Sequence, residues 1–549
     1  MKKTIISNRS RHGIRKASCF AMILTLTLMV ASGQKPKNQD ERPNILVILV
    51  DDMGYSDLGC FGSEIRTPNL DQLAAEGIRF SNLYNTAKCH SSRVSLLSGR
   101  YPFQAGNTSL QHSVTVAEVL RESGYFTAMT GKWHLDKEPG DFGFDRYFGH
   151  LSGATNFFRG DETFRLNGEQ WTVPEKDFYT TIANTDFSIR FLKEARKTDK
   201  PWFLYIAHNA PHFPLHCLEE DYEKYAGTYD VGWDEIREAR AARQKEMRLF
   251  DQETIIPGRP EYIPAWKSLS EERKDFESMR MTAYSAMVDR IDQELGRLLK
   301  NIKKAGELEN TLILFVSDNG GCPYERSKRT HLPPWDPDSD LHPGTAWAWV
   351  NNTPFRNYKQ NQHEGGIASP AVAFWPKGIE VAPGSVIGDP IHLVDLLPTL
   401  ADISNSKIPE SWPDRELNPV AGISFAPTFK GESLGERTLY FLFASDRGIR
   451  LGDWKLVSFR QHPWELYNLR EDPTEIHDVA DRYPEIALDL EQQWYRMARE
   501  EDQAPLKSRN ILSPREEEKI HPLWTDYSRK EIVPFQNSDK ITPVKKNYQ

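Results

Sequence analysis

The sequence predicts an α/β fold, in which a large, mostly parallel β-sheet is flanked by helices and joined to a smaller C-terminal α+β domain. Five short apolar segments, mostly ended by turn or polar residues, have the composition of fully buried strands. They are residues 45–50, 125–130, 202–206, 311–316 and 371–374. Helical patterns lie between several of them, and such alternation favours a parallel sheet. A third observation, a change of composition near residue 436, indicates the smaller domain.

Three segments show amphipathic helical patterns. Residues 67–76 begin with Thr67 at a capping position and Pro68 in the first turn, where these residue types stabilise a helix start. Residues 114–123 and 279–306 place apolar side chains along one face. The charged run at residues 235–253 is interpreted as a solvated helix face.

The chain changes character after a connection rich in Pro, Gly and Ser at residues 409–433. Four short segments have the composition of antiparallel strands, and a helical segment follows them. These segments are residues 439–443, 448–451, 454–458 and 465–468, with the helix at 484–500. We therefore divide the chain into a main α/β domain (34–435), an antiparallel-sheet subdomain (436–510) and a charged, irregular tail (511–549).

Residues 1–33 have the composition of a secretory signal peptide, because basic residues precede an apolar run from Cys19 to Ala31 and small residues follow it. That run is too short to span a bilayer comfortably, and we expect no stable membrane insertion. The predicted location after cleavage is the periplasm or the cell exterior. A formal net charge of −9 disfavours a nucleic-acid partner.

Polar residues follow four of the predicted strands, at the point where each strand ends. In chain order they are Asp51 and Asp52, Lys132 and His134, His208 and His212, and Asp318 and Asn319. Open α/β sheets bind ligands beyond the carboxyl ends of their strands, so these side chains predict one functional edge. Carboxylate and amide oxygens suit a hard cation such as calcium. Taken alone, the pair of acids after the first strand fits a strand-end turn equally well.

Four cysteines remain once the signal segment is removed, and their spacing indicates neither a zinc site nor a disulfide framework. An isolated cysteine is ordinarily a small buried apolar residue. Cys89 differs because it opens the run Cys89-His90-Ser91-Ser92-Arg93 at a predicted helix start. A helix start favours anions, and a residue one turn further on can face the same site.

The run from Cys89 to Arg93 resembles the signature of the sulfatase family, in which the cysteine is oxidised after synthesis to formylglycine. Other segments resemble further motifs of that family in order and spacing. They are Val94–Tyr101 (VSLLSGRY), Gly131-Lys132-Trp133-His134-Leu135, Ala210-Pro211-His212, Ser317-Asp318-Asn319-Gly320, residues 352–366 with Lys359, Trp454-Lys455-Leu456-Val457 and Glu465-Leu466-Tyr467. The resemblance covers most of residues 43–470 and implies an alkaline-phosphatase-like core, with residues 34–435 as the catalytic domain. Ser91, where Pro or Ala is common, and Ala368, where Arg is frequent, depart from the pattern.

The resemblance also implies the cofactors and the roles of the site residues. One calcium ion is bound by Asp51, Asp52, Asp318, Asn319 and the modified Cys89. The hydrated aldehyde at residue 89 attacks sulfur, and Asp318 is placed to accept its proton. By the same resemblance, Arg93 orients the hydrate and Lys132 contacts sulfate. His134 takes the proton whose loss regenerates the aldehyde. His212 and Lys359 act on the leaving oxygen. His208 competes with His212 for that role.

A long segment at residues 320–350 lies at the predicted functional edge. It contains Trp335, Trp347 and Trp349 among basic residues, a composition that suits stacking on a sugar ring. The same tryptophans suit a small packed core equally well. Ser152, Asn156 and Arg159 occupy a second loop that can line the same pocket.

The expected substrate is a sulfated glycan or other sulfated small molecule, with aryl sulfates as a further substrate class. The expected partner in maturation is a formylglycine-generating enzyme. Two alternatives stay open: a phosphate or phosphonate ester hydrolase of the same superfamily, and a glycan-binding homologue that is not catalytic. A two-zinc phosphatase would require several histidine ligands beside the acids, and the predicted edge offers mainly oxygen.

Overall fold

A computed structural model describes residues 41–506, so the predicted signal segment (1–33) and tail (511–549) lie outside the described residues. The strands are β1 Asn44–Val50, β2 Ile78–Tyr84, β3 Phe126–Gly131, β4 Arg146–His150, β5 Phe164–Leu166, β6 Glu169–Gln170, β7 Trp202–Ala207, β8 Thr311–Ser317, β9 Ala368–Phe374, β10 Ser385–Ile387, β11 Ile391–His392, β12 Thr438–Phe443, β13 Asp446–Leu451, β14 Trp454–Ser458 and β15 Glu465–Asn468. The α-helices are α1 Pro68–Glu76, α2 Cys89–Ser98, α3 Val116–Glu122, α4 Thr180–Ala195, α5 Glu219–Tyr222, α6 Trp233–Glu246, α7 Glu271–Lys304, α8 Thr345–Asn351, α9 Glu364–Ile367, α10 Leu396–Ile403 and α11 Pro484–Arg496.

Eleven strands form one large sheet in the order β10-β2-β9-β8-β1-β7-β3-β4-β5-β6, with β11 also paired to β2. The central strand β1 runs parallel to β7 and β8, and β3 runs parallel to β7 and β4. Strand β9 is antiparallel to both β8 and β2. The predicted α/β class with a mostly parallel sheet is confirmed, and each of the five predicted strands is present.

An apolar core covers each face of the large sheet, and β1 contributes residues to both cores. Its residues Leu46, Ile48 and Val50 pack into one core, while the alternate residues of the same strand pack into a second core. The first core is shared with helices such as α1 and α7, and the second with α2, α3 and α10. A strand buried on both faces needs an almost uninterrupted apolar sequence, which is why these strands were visible in the sequence.

The second sheet is antiparallel and four-stranded, in the order β12-β13-β14-β15. Its core includes Tyr440, Ile449 and Trp494, and it also takes in Tyr101 from the segment after α2. The predicted small α+β element is therefore present and packs directly on the main sheet region. Throughout residues 41–506, none of the helices combines the length and apolar character needed to cross a bilayer.

Two helical predictions require correction. The charged run at 235–253 is not simply a solvated face, because α6 ends at Glu246 and buries Arg237 and Arg240. The Arg240 guanidinium bonds the carboxylates of Asp57 (2.6 Å) and Glu64 (2.7 Å). These two acids lie far from Arg240 in the sequence, and their negative charges offset the cost of burying the guanidinium. Helical periodicity does not reveal partners at such a distance. Helix α7 starts eight residues earlier than predicted, at Glu271, directly after its capping residue Ser270.

Replacement of Leu46 in β1 by Ala tests the central position of that strand. Leu46 is fully buried, so the loss of its side chain should cost about 2–5 kcal/mol and lower the thermal unfolding midpoint. The matched control is Leu488→Ala on α11, since Leu488 is 55% exposed and its loss should cost no more than about 0.5 kcal/mol. Equal midpoints for the two variants would contradict this core assignment.

Candidate active site

Parallel strands bring polar side chains to one edge of the large sheet. The chain leaves β8 at Asp318, whose amide donates to the Val50 carbonyl at the end of β1 over 3.0 Å. The chain leaves β3 at Lys132, whose amide donates to the Ala207 carbonyl at the end of β7 over 2.8 Å. These bonds tie neighbouring strand ends together. The backbone therefore fixes the positions from which the site side chains project.

Asp51, Asp52, Asp318 and Asn319 form one fully buried cluster. The Asp52 amide donates to Asp318 Oδ1 over 3.2 Å, and Asn319 Nδ2 donates to Asp52 Oδ1 over 2.7 Å. Asp52 has φ of 67°, a left-handed conformation that costs energy for a residue other than glycine. Among the residues from 41 to 506, Asp51 Oδ1, Asp52 Oδ2 and Asn319 Oδ1 find no hydrogen-bond partner. A buried oxygen without a partner is costly, so the cluster is incomplete with protein groups alone.

Two buried lysines pair with the acids that follow β1. Lys132 Nζ donates to Asp51 Oδ2 over 2.5 Å, and Lys359 Nζ donates to Asp52 Oδ1. Burial lowers the pKa of Lys359, but the negative charges of Asp52, Cys89 and their neighbours together outweigh burial and hold that pKa well above its usual value. Lys359 is therefore a permanent cation at neutral pH.

Arg93 supplies the third buried cation. It lies one turn after Cys89 on α2, and its Nη2 is 3.2 Å from Asp318 Oδ2 and 3.6 Å from Asp51 Oδ2. Its Nη1 donates to the Lys132 carbonyl over 2.7 Å. Arg93 therefore links the helix of Cys89 to three strand ends, which is more than the surface ion pair expected of an ordinary helical arginine.

The acids influence one another strongly. Burial raises the pKa of Asp318 well above its ordinary value, the negative charge of Asp51 raises it further, and Arg93 opposes both effects. Burial also disfavours ionisation of Asp51, but Lys132, His212 and Arg93 together outweigh burial and hold the Asp51 pKa below its usual range. Carboxylates this close cannot all ionise freely without additional positive charge.

Cys89 is the first residue of α2 and is only 2% exposed. Burial raises the pKa of its thiol, but the positive charges of Lys132 and Lys359 and hydrogen bonds with His134 and His90 bring it well below its ordinary value. The Cys89, His90 and His134 donor atoms lie within 4.8 Å of one another. The site therefore favours negative charge on the side chain at position 89.

His134 lies beside Cys89 and is neutral at neutral pH. Burial, followed by the charge of Lys132, lowers the pKa of its ring to about 4. A Cβ at Gly153 would lie 2.6 Å from His134 Nε2, so only glycine lets the loop pass this close to the ring. A neutral imidazole packed against the thiol can accept a proton from position 89.

His212, rather than His208, faces the acid cluster. Its Nε2 lies 3.6 Å from Asp52 Oδ2, and its Nδ1 donates to the Phe213 carbonyl over 2.6 Å. Burial lowers the pKa of His212 to about 4, against the opposing charge of Asp52. Burial also lowers the pKa of His208 to about 4, and His208 is not part of the cluster of Asp51, Asp52 and His212.

The structure thus brings together all ten side chains predicted for the site. Their contacts connect Asp51, Asp52, Cys89, Arg93, Lys132, His134, His212, Asp318, Asn319 and Lys359. Sequence reasoning missed Phe443 of β12, whose ring lies 5.9 Å from the ring of His90. It also missed Gly153. Neither residue belongs to a local pattern, because each reaches the site from a separate part of the fold.

The tryptophans of the 320–350 segment pack mainly into protein. Trp347 and Trp349 on α8 are 1% and 4% exposed and belong to the main core. Trp335 is half-buried, with its ring edge-on to Tyr222 at 5.2 Å. The interpretation of Trp347 and Trp349 as sugar-stacking residues is therefore wrong, and the alternative of core packing is right. In the second loop, Arg159 pairs with Asp338 (2.6 Å) at the surface.

The residues of the acid cluster fit a bound hard cation. The three unpartnered oxygens belong to Asp51, Asp52 and Asn319, and all are carboxylate or amide oxygens. Calcium prefers such ligands and tolerates a variable number of them. Three buried acids are opposed by three buried protein cations, so a divalent ion would leave the site with a net attraction for anions.

Comparisons with known proteins agree with this geometry. Residues 43–406 match the Sulfatase family, and residues 357–500 match the family described as N-sulphoglucosamine sulphohydrolase, C-terminal. The chain is 31% identical to the arylsulfatase of Klebsiella aerogenes over 450 residues, which cover 74% of this chain and 96% of that protein. It is 30% identical to the N-acetylglucosamine-6-O-sulfatase of Bacteroides thetaiotaomicron, with coverage of 74% and 76%. The solved structure of Ps i-CgsB in complex with k-i-k-neocarrahexaose matches 89% of this chain and 98% of that one, with a TM-score of 0.62 and 26% identity.

The charge environment of Cys89 predicts a thiolate at neutral pH in protein that retains the unmodified cysteine. Burial raises the pKa of Cys60, Cys217 and Cys322, so the absorbance of the other described thiols near 240 nm should titrate only at high pH. A pH titration of this absorbance, compared with that of Cys89→Ala, should show a Cys89 transition well below the usual thiol range. Equal thiolate absorbance of the two proteins at neutral pH would contradict this electrostatic assignment.

Proposed function

The chain belongs to the sulfatase family and hydrolyses sulfate esters, and we propose that it desulfates a carbohydrate using formylglycine derived from Cys89 and one calcium ion. The observation that carries this proposal is the convergence of unpartnered oxygens on a buried position that stabilises negative charge at residue 89. An anion-stabilising position beside a cation site is what nucleophilic attack on a sulfate ester requires.

The carbohydrate substrate is supported by the relatives. One is named as an N-acetylglucosamine-6-O-sulfatase, and the solved structure of Ps i-CgsB contains k-i-k-neocarrahexaose. Aryl sulfates are also expected to react, because a phenolic leaving group demands little help from an acid. The arylsulfatase of Klebsiella aerogenes is consistent with that expectation.

Sulfate binding depends on charge. Lys132 and Lys359, together with Arg93, place three cationic groups around the buried cluster, and they would neutralise the sulfuryl oxygens as charge develops. Calcium, when bound by Asp51, Asp52, Asp318, Asn319 and the side chain at 89, would supply Lewis-acid polarisation of the sulfate. Arg93 also holds the Asp318 carboxylate in place, so it positions the metal site and the nucleophile together.

Formylglycine at position 89, when formed and hydrated, supplies a nucleophilic hydroxyl together with a second hydroxyl from which the aldehyde can be regenerated. Asp318, whose pKa is raised by burial and by Asp51, is suited to accept the proton of the attacking group. His134 is neutral and lies beside Cys89, so it is suited to take the second proton. Gly153 keeps the loop against the His134 ring and restricts its orientation.

The leaving oxygen is assigned to Lys359 and His212. Lys359 remains cationic through its pairing with Asp52, so it can stabilise the negative charge that develops on that oxygen. The Nδ1 atom of His212 is committed to the Phe213 carbonyl, which leaves Nε2 on the side of the site. His212 can therefore orient the leaving oxygen while Lys359 supplies the charge.

We further propose export to the periplasm or the cell exterior, on the basis of the basic and apolar composition of residues 1–33. Maturation would then require a formylglycine-generating enzyme that acts on the segment from Cys89 to Arg93. The Ser91 hydroxyl in that segment donates to the Lys88 carbonyl over 3.1 Å in the folded chain.

Matched sulfate and phosphate esters, such as p-nitrophenyl sulfate and p-nitrophenyl phosphate, test the reaction class. The protein should hydrolyse the sulfate ester more efficiently, because the oxygen-rich cluster lacks the histidine set of a two-zinc phosphatase. Higher kcat/KM for the phosphate ester would favour the phosphohydrolase alternative.

The nucleophile is tested by mass spectrometry and by Cys89→Ala. The peptide containing residue 89 should be about 18 Da lighter than the unmodified peptide, whereas ordinary cysteine oxidation adds mass. The variant should fold but lose at least about a thousandfold in kcat, because the nucleophile is removed. Unmodified Cys89 in active protein, or comparable turnover by the variant, would refute the assigned role.

A further inference from the structure

A second group of positive charges surrounds the ring of Tyr324. Arg326 Cζ lies 4.6 Å from the ring centroid, Lys88 Nζ lies 5.8 Å from it and Lys359 Nζ lies 6.0 Å from it. Tyr324 itself is buried, with 6% of its surface exposed. We refer to Lys88, Tyr324 and Arg326 as the Tyr324 cluster. It adjoins the catalytic site through Lys359.

Two of the three positive charges in this region have no acidic partner in the described part of the chain. Lys359 has a carboxylate partner in Asp52, but across residues 41–506 neither Lys88 nor Arg326 forms an ion pair with an acid. Lys88 is half-buried, so its ammonium group has lost part of its contact with water. Cation–π contact with the Tyr324 ring does not neutralise these charges as a carboxylate partner would. The cluster therefore has capacity for an anion that the protein does not supply.

The position of Lys88 is set by the backbone next to the nucleophile. Its carbonyl accepts from the Ser92 amide over 2.9 Å at the start of α2, and from the Ser91 hydroxyl. The preceding carbonyl, of Ala87, accepts from the Gln360 amide over 2.7 Å. Lys88 and Lys359 thus project from adjoining backbone segments. The backbone that carries the Lys88 side chain is therefore anchored at the edge of the site rather than on an independent loop.

The Tyr324 cluster lies on the side of the site assigned to the leaving group. The Tyr324 ring is 6.2 Å from the ring of Phe213, which directly follows His212. Lys359, which contributes to the same arrangement, is also assigned to the leaving oxygen. The sugar that departs with this oxygen would therefore extend toward Lys88 and the exposed Arg326.

We propose that Lys88 and Arg326 bind a second anionic group of the substrate, so that the preferred sugar carries the scissile sulfate and a further sulfate or carboxylate. This inference rests on the proposed carbohydrate sulfatase function. Sulfate and carboxylate are both oxyanions. The second group would lie on the same sugar ring as the reacting sulfate, one ring position away, or on the neighbouring sugar. Lysine and arginine both recognise such groups through charge-assisted hydrogen bonds.

The test compares three position-defined substrates with wild-type enzyme and with Lys88→Gln and Arg326→Gln. They are the singly sulfated sugar that the enzyme hydrolyses, the same sugar with a second sulfate, and the same sulfated sugar linked to a hexuronic acid. The readout is the ratio of kcat/KM for each doubly anionic substrate to that for the singly sulfated sugar. This ratio does not depend on the fraction of protein in which Cys89 is converted.

Wild-type enzyme should prefer at least one doubly anionic substrate. Lys88→Gln and Arg326→Gln should each reduce that preference roughly tenfold, as expected for loss of a hydrogen bond to a charged group. Lys88→Arg should retain the preference. Lys274→Gln, which removes a lysine paired with Glu271 on α7, is the matched charge control and should leave the ratio unchanged. If the preference for the doubly sulfated sugar is lost in the variant, the second anion is sulfate. If the preference for the sugar linked to hexuronic acid is lost, the second anion is a carboxylate.

Two outcomes would overturn the inference without affecting the proposed function. One is a wild-type ratio near one for both doubly anionic substrates. The other is an equal loss on all three substrates in Lys88→Gln, which would assign Lys88 to the scissile sulfate or to local structure. Failure of wild-type enzyme to hydrolyse any sulfated sugar would instead refute the proposed carbohydrate function itself.

Discussion

The burial of three carboxylates against three protein cations is the constraint on which the rest of the site depends. Each ionised group loses several kcal/mol of hydration when it is buried, and this loss is offset only where pairing and hydrogen bonding are nearly complete. Here each of the three cations has a carboxylate partner, yet within residues 41–506 one oxygen each of Asp51, Asp52 and Asn319 has no hydrogen-bond partner. A divalent cation bound at this position would resolve that deficit. It would also give the pocket the positive balance that a sulfate ester requires.

Much of the fold could be predicted because its central strands are buried on both faces. Such strands need nearly continuous apolar sequences, and β1, β3, β7, β8 and β9 were all visible for that reason. The functional edge was predictable by the same logic, since polar residues immediately follow the strands. Residue spacing did not predict the contacts of Arg93 with Asp318 and Asp51. Helix periodicity shows only that Arg93 can face the same side as Cys89.

The features that could not be predicted depend on contacts between distant segments. The tryptophans of α8 share their composition with sugar-binding aromatics, and only their burial shows that they pack in the core. Phe443 reaches His90 from the second sheet, and Gly153 reaches His134 from a separate loop. In each case the deciding interaction is tertiary. Strand β2 was missed for a different reason, because half-buried polar residues interrupt its apolar sequence.

The most direct test of this account is a crystal structure of the matured protein grown with calcium, with anomalous diffraction used to identify the ion. The account predicts one calcium ion in contact with oxygens of Asp51, Asp52, Asp318 and Asn319 and with the modified side chain at position 89. An ion bound elsewhere, or a structure in which these oxygens point away from residue 89, would contradict it.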